Sequence, residues 1–248
     1  YRRELIAGIS HDLRTPLTSI KGYTEGLQDG IADTPEKQKR YYEAIHVRAM
    51  DMEALVDSLS VFSRLENRHH RYQLELVDMK EYLEQLLEEY KEEAEQKKIT
   101  LLMEWTARNT QVKLDLQEMH RVFINLFENS VKYRTKERSV IKLILDERGT
   151  DLEIRVADDG PGVPEADLEH IFNSFYRGDA SRTKPGSGSG LGLAIVKQIV
   201  EGHGGKICAY NDHGLVIVIT LPLVRERLGG SRENGKGETG ENEENTGG

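Results

Sequence analysis

The sequence predicts an α+β fold of two domains, in which a helical hairpin is followed by an α/β sandwich. In the first part of the chain the apolar residues recur at helical spacing, and further along short β-type segments alternate with helices. The last stretch, 229–248, is rich in Gly, Glu and Asn, and we expect it to be disordered. The predicted boundaries are 1–68 for the hairpin, 72–224 for the sandwich and 229–248 for the tail.

Two amphipathic helices make up the predicted hairpin. The first carries an apolar stripe at mostly three- and four-residue steps, formed by Leu5, Ile9, Leu13, Leu17, Ile20 and Leu27. A break then ends in Thr34-Pro35, an N-cap followed by proline at the first helical position, and a second stripe extends from Tyr41 to Phe62. One hairpin is too thin to bury both stripes, so we expect a homodimer built on a four-helix bundle.

The second domain combines strands with helices. The pattern predicts strands at 74–77, 99–105, 140–145, 152–156, 206–210 and 215–221, and helices at 79–98, 116–134 and 190–201. Because several of these strands are neighbours along the chain, we expect a mostly antiparallel sheet that helices cover on one face.

Composition limits the classes of partner. The net charge of -9 argues against nucleic acid, which needs a basic face, and against anionic lipid. The single cysteine, Cys208, cannot form a disulfide within the chain and fits a reducing compartment. No apolar stretch is long enough to span a bilayer. Because the chain begins without a methionine inside a predicted helix, we expect it to be the cytoplasmic portion of a longer parent protein, whose upstream part is anchored in the cell membrane.

A candidate nucleophile stands in the first helix. His11 is followed by Asp12, and Thr15 and Pro16 lie one turn further on. A neutral imidazole is a competent nucleophile near pH 7, because its unperturbed pKa is about 6.5. The neighbouring carboxylate and the helix-perturbing proline favour a reactive histidine over a packed one. The other histidines show no metal-ligand spacing and are interpreted as structural or solvated.

Three later segments have residue types that suit a nucleotide. Asn125, Asn129 and Lys132 share one helix face with Glu128, and an amide oxygen together with substrate phosphates suffices for Mg²⁺. Segment 158–162 begins with a carboxylate at the end of a predicted strand. Segment 186–193 is rich in glycine and leads into a predicted helix, whose free N-terminal amides form an anion site. Taken singly, the first segment is more typical of a solvated helix face and the second of a Pro-Gly turn with solvated acids. A flexible linker is the alternative for the third, but linkers seldom end in a strongly apolar helix.

The segment between the two glycine runs predicts a mobile lid. Residues 171–177 contain three aromatic side chains and Arg177, and 181–190 contains no apolar residue. The aromatic end would anchor the lid to the core, and the arginine would reach phosphate. A short amphipathic helix with an exposed loop is the alternative.

Taken together and in this order, the segments resemble the sensor histidine kinases of two-component signalling. The similar motifs are His11 to Pro16 for the family's H box, Asn125 to Tyr133 for the N box, Asp158 to Gly162 for the G1 box, Phe172 to Arg177 for the F box and Gly188 to Leu193 for the G2 box. The resemblance covers 1–223. It implies a dimerisation and phosphoacceptor domain and a catalytic ATP-binding domain of the GHKL type with a mobile ATP lid.

The resemblance also implies roles for single residues. His11 would be the phosphoacceptor, Asp12 would orient it or take its proton, and Thr15 would orient a water in a phosphatase reaction. Asn129 would bind Mg²⁺. The residues implied around ATP are Asn125, Asn129, Lys132, Tyr133, Asp158, Gly160, Gly162, Phe172, Arg177, Gly188, Gly190, Leu191, Gly192 and Leu193.

The implied function is autophosphorylation from ATP·Mg²⁺, followed by transfer to an aspartate on the receiver domain of a separate response regulator. Two alternatives stay open at this point. One is a GHKL-type ATPase, which needs a carboxylate where Asn125 stands and for which Glu128 is the available substitute. The other is a dimeric scaffold that only binds nucleotide.

Overall fold

The structure is a computed structural model that describes residues 2–66, 70–178 and 189–224, with side chains of the first helix from residue 8 onward. Helix α1 spans Arg2–Gln28 and helix α2 spans Pro35–Glu66, and together they form the hairpin. The amide of Lys37 donates to Oγ1 of Thr34 at 3.2 Å, which confirms the predicted cap at the start of α2.

Residues 70–178 and 189–224 form the sandwich. Its elements in chain order are β1 (Glu75–Asp78), α3 (Met79–Gln96), β2 (Ile99–Trp105), β3 (Gln111–Leu114), α4 (Leu116–Tyr133), β4 (Ser139–Arg148), β5 (Asp151–Asp158), a 3₁₀ turn (Glu165–Asp167), α5 (Gly192–Gly202), β6 (Lys206–Asn211) and β7 (Leu215–Pro222). The main sheet has the order β2-β4-β5-β7-β6, and β1 pairs with β3 in a separate two-stranded sheet.

The mostly antiparallel sheet is confirmed, with one parallel pairing. Strand β2 runs parallel to β4, with Ile99 opposite Ser139, because α4 forms the crossover between the two strands. The other pairings of the main sheet are antiparallel. The prediction missed β3, although Gln111-Val112-Lys113-Leu114 has the alternation of a strand and both of its apolar residues are buried.

Helices α3, α4 and α5 cover one face of the main sheet. Their buried residues include Leu83 and Leu86 on α3, Phe123 on α4 and Val196 on α5. One apolar cluster joins this core to the hairpin through Leu55 and Phe62 of α2. The sandwich therefore packs directly against the hairpin. Within the described residues, no helix has the length and apolar character that a membrane crossing requires.

Some predictions fall outside the described residues. The lid predicted at 181–190 is described only at Ser189 and Gly190, and Gly188 is not included. The predicted tail at 229–248 also lies outside them.

Candidate functional site

A cavity of about 590 Å³ lies between the hairpin and the sandwich, within the range of small-molecule sites. We call it the interdomain cavity. The residues that line it are His11, Asp12, Thr15, Pro16 and Ser19 on α1; Arg48, Asp51, Ala54, Leu55 and Ser58 on α2; Asn125, Glu128, Asn129, Lys132 and Tyr133 on α4; and Ile171, Tyr176, Arg177, Ser189, Gly190, Gly192 and Leu193.

The hairpin side of the cavity presents His11. Its side chain is 76% exposed, whereas that of Asp12 is only 16% exposed, and Nδ1 lies 3.0 Å from Oδ1 of Asp12. A carboxylate only accepts hydrogen bonds, so this contact assigns a proton to Nδ1, and in the neutral ring Nε2 then holds the lone pair. One turn on, the Thr15 hydroxyl donates to the His11 carbonyl at 3.3 Å, and Pro16 is buried inside the helix.

The sandwich side presents the polar face of α4. The side-chain amide of Asn125 donates to the carbonyl of Arg121 at 2.9 Å, so its oxygen points away from α4. That oxygen faces the start of α5, where a Cβ on residue 192 would lie 3.0 Å from it. Glycine at 192 therefore permits the two helices to approach at this point. The predicted face of Asn125, Asn129 and Lys132 does line one cavity.

Positive charge gathers where the two ends of the lid segment meet. Burial lowers the pKa of Lys132, the nearby guanidinium of Arg177 lowers it further, and Glu128 partly opposes both. Two cations held this close favour a bound anion between them. In α5 the amides of the first turn have no side-chain cap among the described residues, which adds a second anion-binding feature.

Both described ends of the lid segment are fixed to each other. The amide of Phe175 donates to the carbonyl of Gly190 at 3.0 Å. Gly190 has φ +68°, and a Cβ there would lie 2.8 Å from the carbonyl carbon of Phe175. Only glycine combines this backbone conformation with such a close approach.

Asp158 lies at the end of β5, behind the face of α4 that lines the cavity. Its Oδ1 accepts from the amides of Gly160 at 2.9 Å and Leu215 at 3.1 Å, and its Oδ2 accepts from Ser130 at 3.2 Å. These bonds orient the carboxylate and still leave lone pairs for a ligand. It does not line the interdomain cavity.

The structure separates the predicted site residues into two groups. Those on α1 and α4, together with Arg177, Gly190, Gly192 and Leu193, line the cavity. Phe172 and Leu191 are buried in the apolar core instead, and Gly162 is packed against Asn211. Aromatic and leucine side chains inside a motif serve packing as readily as binding, and sequence spacing alone does not separate the two.

The sequence prediction missed the contribution of α2. Arg48, Asp51 and Ser58 line the cavity, and Nη1 of Arg48 lies 2.7 Å from Oδ2 of Asp51. Their spacing of three and seven residues places them on one helix face. Polar residues recurring on one side of the predicted apolar stripe were the available signal.

Known families match both parts of the chain. Residues 1–68 match HisKA, the His Kinase A (phospho-acceptor) domain, and residues 114–225 match HATPase_c, the histidine kinase-, DNA gyrase B- and HSP90-like ATPase. The chain belongs to the sensor histidine kinases. His11 of this sensor histidine kinase lies within the phospho-acceptor match, and the face of α4 lies within the ATPase match.

Individual proteins similar to this chain are also histidine kinases. The sensor histidine kinase WalK of Bacillus subtilis is 31% identical over 229 residues, covering 91% of this chain and 37% of the relative. The structure of histidine kinase AdeS of Acinetobacter baumannii has a TM-score of 0.65 and 26% identity, covering 87% of this chain and 98% of AdeS. Histidine kinase ThkA, solved in complex with response regulator protein TrrA, has a TM-score of 0.72 and 25% identity, covering 89% of this chain and 61% of ThkA. This sensor histidine kinase chain therefore spans little more than a third of the length of its WalK relative.

Proposed function

We propose that this chain transfers the γ-phosphoryl group of ATP to His11 and relays it to an aspartate of a separate response regulator. The observation that carries the proposal is the interdomain cavity, which holds the exposed imidazole on one side and the polar face of α4 on the other. A phosphoryl donor bound by the sandwich is thereby brought to a nucleophile on the hairpin. Positioning of this kind accounts for most of the catalysis of phosphoryl transfer.

The proposed transfer step uses groups that line the cavity. Nε2 of His11 forms a bond to the γ-phosphorus, and the bond from that phosphorus to the β,γ-bridging oxygen breaks. The bond's electron pair leaves with ADP. The proton on Nδ1 passes to Asp12, whose Oδ1 lies 3.0 Å away. The products are an uncharged imidazole ring that carries the phosphoryl group on Nε2, and a protonated Asp12 carboxyl group.

The residues present suit a magnesium ion beside the phosphates. Asn129 and Asn125 offer amide oxygens and Glu128 offers a carboxylate on the same cavity wall. Mg²⁺ prefers oxygen ligands and keeps several waters, so few protein ligands are needed. Asn129 would hold the ion, which supplies charge neutralisation at the phosphates. Lys132, Arg177 and the first turn of α5 would bind the remaining negative charge.

The test is the fate of label from ATP carrying a labelled γ-phosphate. Incubated with Mg²⁺, the protein should acquire phosphate that is labile to acid and stable to base, and His11→Gln should abolish it. His46→Gln is the matched control, because His46 is an exposed histidine on the other helix of the hairpin, and it should label normally. Label found only as free phosphate would favour the ATPase alternative, and bound but intact ATP would favour the scaffold.

The relay partner follows from the product and from the relatives. A phosphoramidate is a high-energy donor that suits onward transfer to a carboxylate. ThkA was solved with a response regulator protein, and we propose a receiver domain of that class as the acceptor here. We also propose that two chains pair through their hairpins, as expected for a HisKA domain.

Thr15 supports a phosphatase activity toward the same partner. Its hydroxyl lines the cavity one turn after His11, and rotation about χ1 would release it from the His11 carbonyl to orient a water. Thr15→Ala should retain His11 labelling and slow dephosphorylation of the regulator by about 10- to 100-fold, because an attacking water loses its orientation. Release of phosphate from labelled regulator measures the effect, and an unchanged rate would refute the role.

A further inference from the structure

We propose that each chain phosphorylates its own His11, so that the sandwich of one protomer acts on the hairpin of that same protomer within the dimer. The inference rests on the proposed kinase function and adds which copy of His11 receives the phosphoryl group. In a dimer two imidazoles are available to each sandwich, and the interdomain cavity joins the sandwich to the imidazole of its own chain.

The interdomain cavity is complete within one chain. Its hairpin wall includes His11 and Thr15 from α1, and its sandwich wall includes Asn129, Lys132 and Arg177. No residue from a second copy is required to bring the acceptor and the groups that bind nucleotide to one cavity.

Specific contacts hold the sandwich on its own hairpin. Nη2 of Arg64, near the end of α2, lies 2.5 Å from Oε1 of Glu118 on α4. Phe62 of α2 is fully buried in the cluster that contains the core of the sandwich. At the other end of the interface, a Cβ on Gly8 of α1 would lie 3.1 Å from the ring of Phe175. Contacts at both ends of the cavity fix its orientation as well as its position.

Few residues separate the end of the hairpin from the first contact with the sandwich. Helix α2 ends at Glu66, and the hydroxyl of Tyr72 already donates to the carbonyl of Gln198 on α5 at 3.4 Å. The next residue, Gln73, donates its amide to Asp115 at 2.9 Å. The sandwich is therefore anchored close beside the helix that it follows.

The docked sandwich leaves another side of the hairpin for the partner. Leu17 and Val56 are large apolar residues that remain 56% and 52% exposed. Leu55 is buried against the sandwich, and Val56 follows it at about 100° around the helix. A second copy can pair on the side of Val56 without displacing the sandwich from His11.

A heterodimer of two distinguishable chains tests the inference. One chain is wild type and the other carries Asn129→Ala, with affinity tags of different size so that tandem purification yields the mixed dimer and a gel separates the chains. The Asn129→Ala chain keeps His11 and lacks a working ATP site. With labelled ATP and Mg²⁺, phosphate should appear on the wild-type chain, while the Asn129→Ala chain stays at the level of its own homodimer.

Label on the Asn129→Ala chain above that level, alone or together with the wild-type chain, would overturn the inference. Lys132→Ala provides a second defective chain, should Asn129→Ala not fold, and is expected to give the same pattern. A mixed dimer of wild type and His11→Gln should label its wild-type chain, which shows that mixed dimers are competent. If the wild-type homodimer itself acquires no label, the proposed kinase function has failed, and that outcome differs from either pattern above.

Discussion

Among single residues, Gly192 is one whose replacement would directly affect the proposed ATP site. A Cβ at this position would lie 3.0 Å from Oδ1 of Asn125, closer than an ordinary contact. Gly192→Ala should displace the Asn125 amide and weaken nucleotide binding by about tenfold, which corresponds to about 1.4 kcal/mol of overpacking. Calorimetric titration with a non-hydrolysable ATP analogue measures the change.

Gly22→Ala is the matched control for that substitution. Gly22 also lies in a helix, and a Cβ there would meet nothing within 4 Å. The variant should bind nucleotide as the wild type does and should gain slightly in free energy of unfolding, because alanine favours a helix over glycine. Equal nucleotide affinity of the two variants would contradict the role given to the approach of α4 and α5.

His203 is a second residue with a measurable signature, the pH dependence of stability. Its Nδ1 lies 2.7 Å from the carbonyl of Ile199, and its Nε2 accepts from the amide of Asp115 at 2.9 Å, so the ring is held neutral. Burial lowers the pKa of His203, although the Ile199 carbonyl, Asp115 and Glu118 partly oppose the shift. The unfolded chain binds the extra proton first as pH falls through about 6.5, so acidification destabilises the fold.

The effect is isolated by comparing His203→Gln with the wild type. Glutamine stays neutral, and its oxygen accepts the Asp115 amide. The loss of Tm between about pH 7.5 and pH 5.5 should be larger in the wild type, since a histidine with ordinary pKa in the unfolded state titrates in that window. Identical slopes in thermal melts followed by circular dichroism would rule out His203 as the source.

For single residues, the sequence predicted the polar residues of the cavity better than it predicted which motif residues pack in the core. The spacing of Asn125, Asn129 and Lys132 placed them on one face, and they do line one cavity. Phe172 and Leu191 were grouped with them by motif and lie in the core. Which way a motif residue points depends on the elements packed against it, and those contacts come from distant parts of the chain.

Between elements, the ion pair of Arg64 and Glu118 is the most informative contact. Glu118 is only 4% exposed whereas Arg64 is 49% exposed, so the carboxylate depends on the guanidinium for compensation. Arg121 on the same helix approaches the other oxygen at 3.5 Å. Arg64→Ala should weaken docking by about 1–2 kcal/mol, less than a fully buried pair, because Arg64 is half in solvent.

The kinetic consequence separates docking from binding. Arg64→Ala should lower the rate of His11 labelling at saturating ATP and leave the ATP affinity unchanged, since it lies outside the interdomain cavity. Lys91→Ala is the matched control, because it removes an exposed helix pair with Glu88 at 3.1 Å and should label normally. A lower ATP affinity in Arg64→Ala would contradict a docking role.

The elements themselves were largely predictable because their signals are local. Helical periodicity and the Thr34 cap each depend on a few neighbouring residues. The parallel pairing of β2 with β4 and the separate β1–β3 sheet depend on which strands meet in space. Local pattern does not encode that choice, and the prediction missed both features.

At the scale of the whole molecule, the exposed side of the hairpin predicts the assembly. Leu17 and Val56 are each more than half exposed in one chain, and a second hairpin would bury them in a four-helix bundle. Val56→Lys should drive the protein from dimer toward the 28.2 kDa monomer, because a lysine in the bundle core has no compensating partner.

Val47→Lys is the matched control, because Val47 is also 52% exposed. It lies nine residues from Val56, which is about two and a half turns, and so it lies on the opposite side of α2. Light scattering after size-exclusion chromatography should show a dimer for Val47→Lys, and a dimer for Val56→Lys as well would place the partner interface elsewhere.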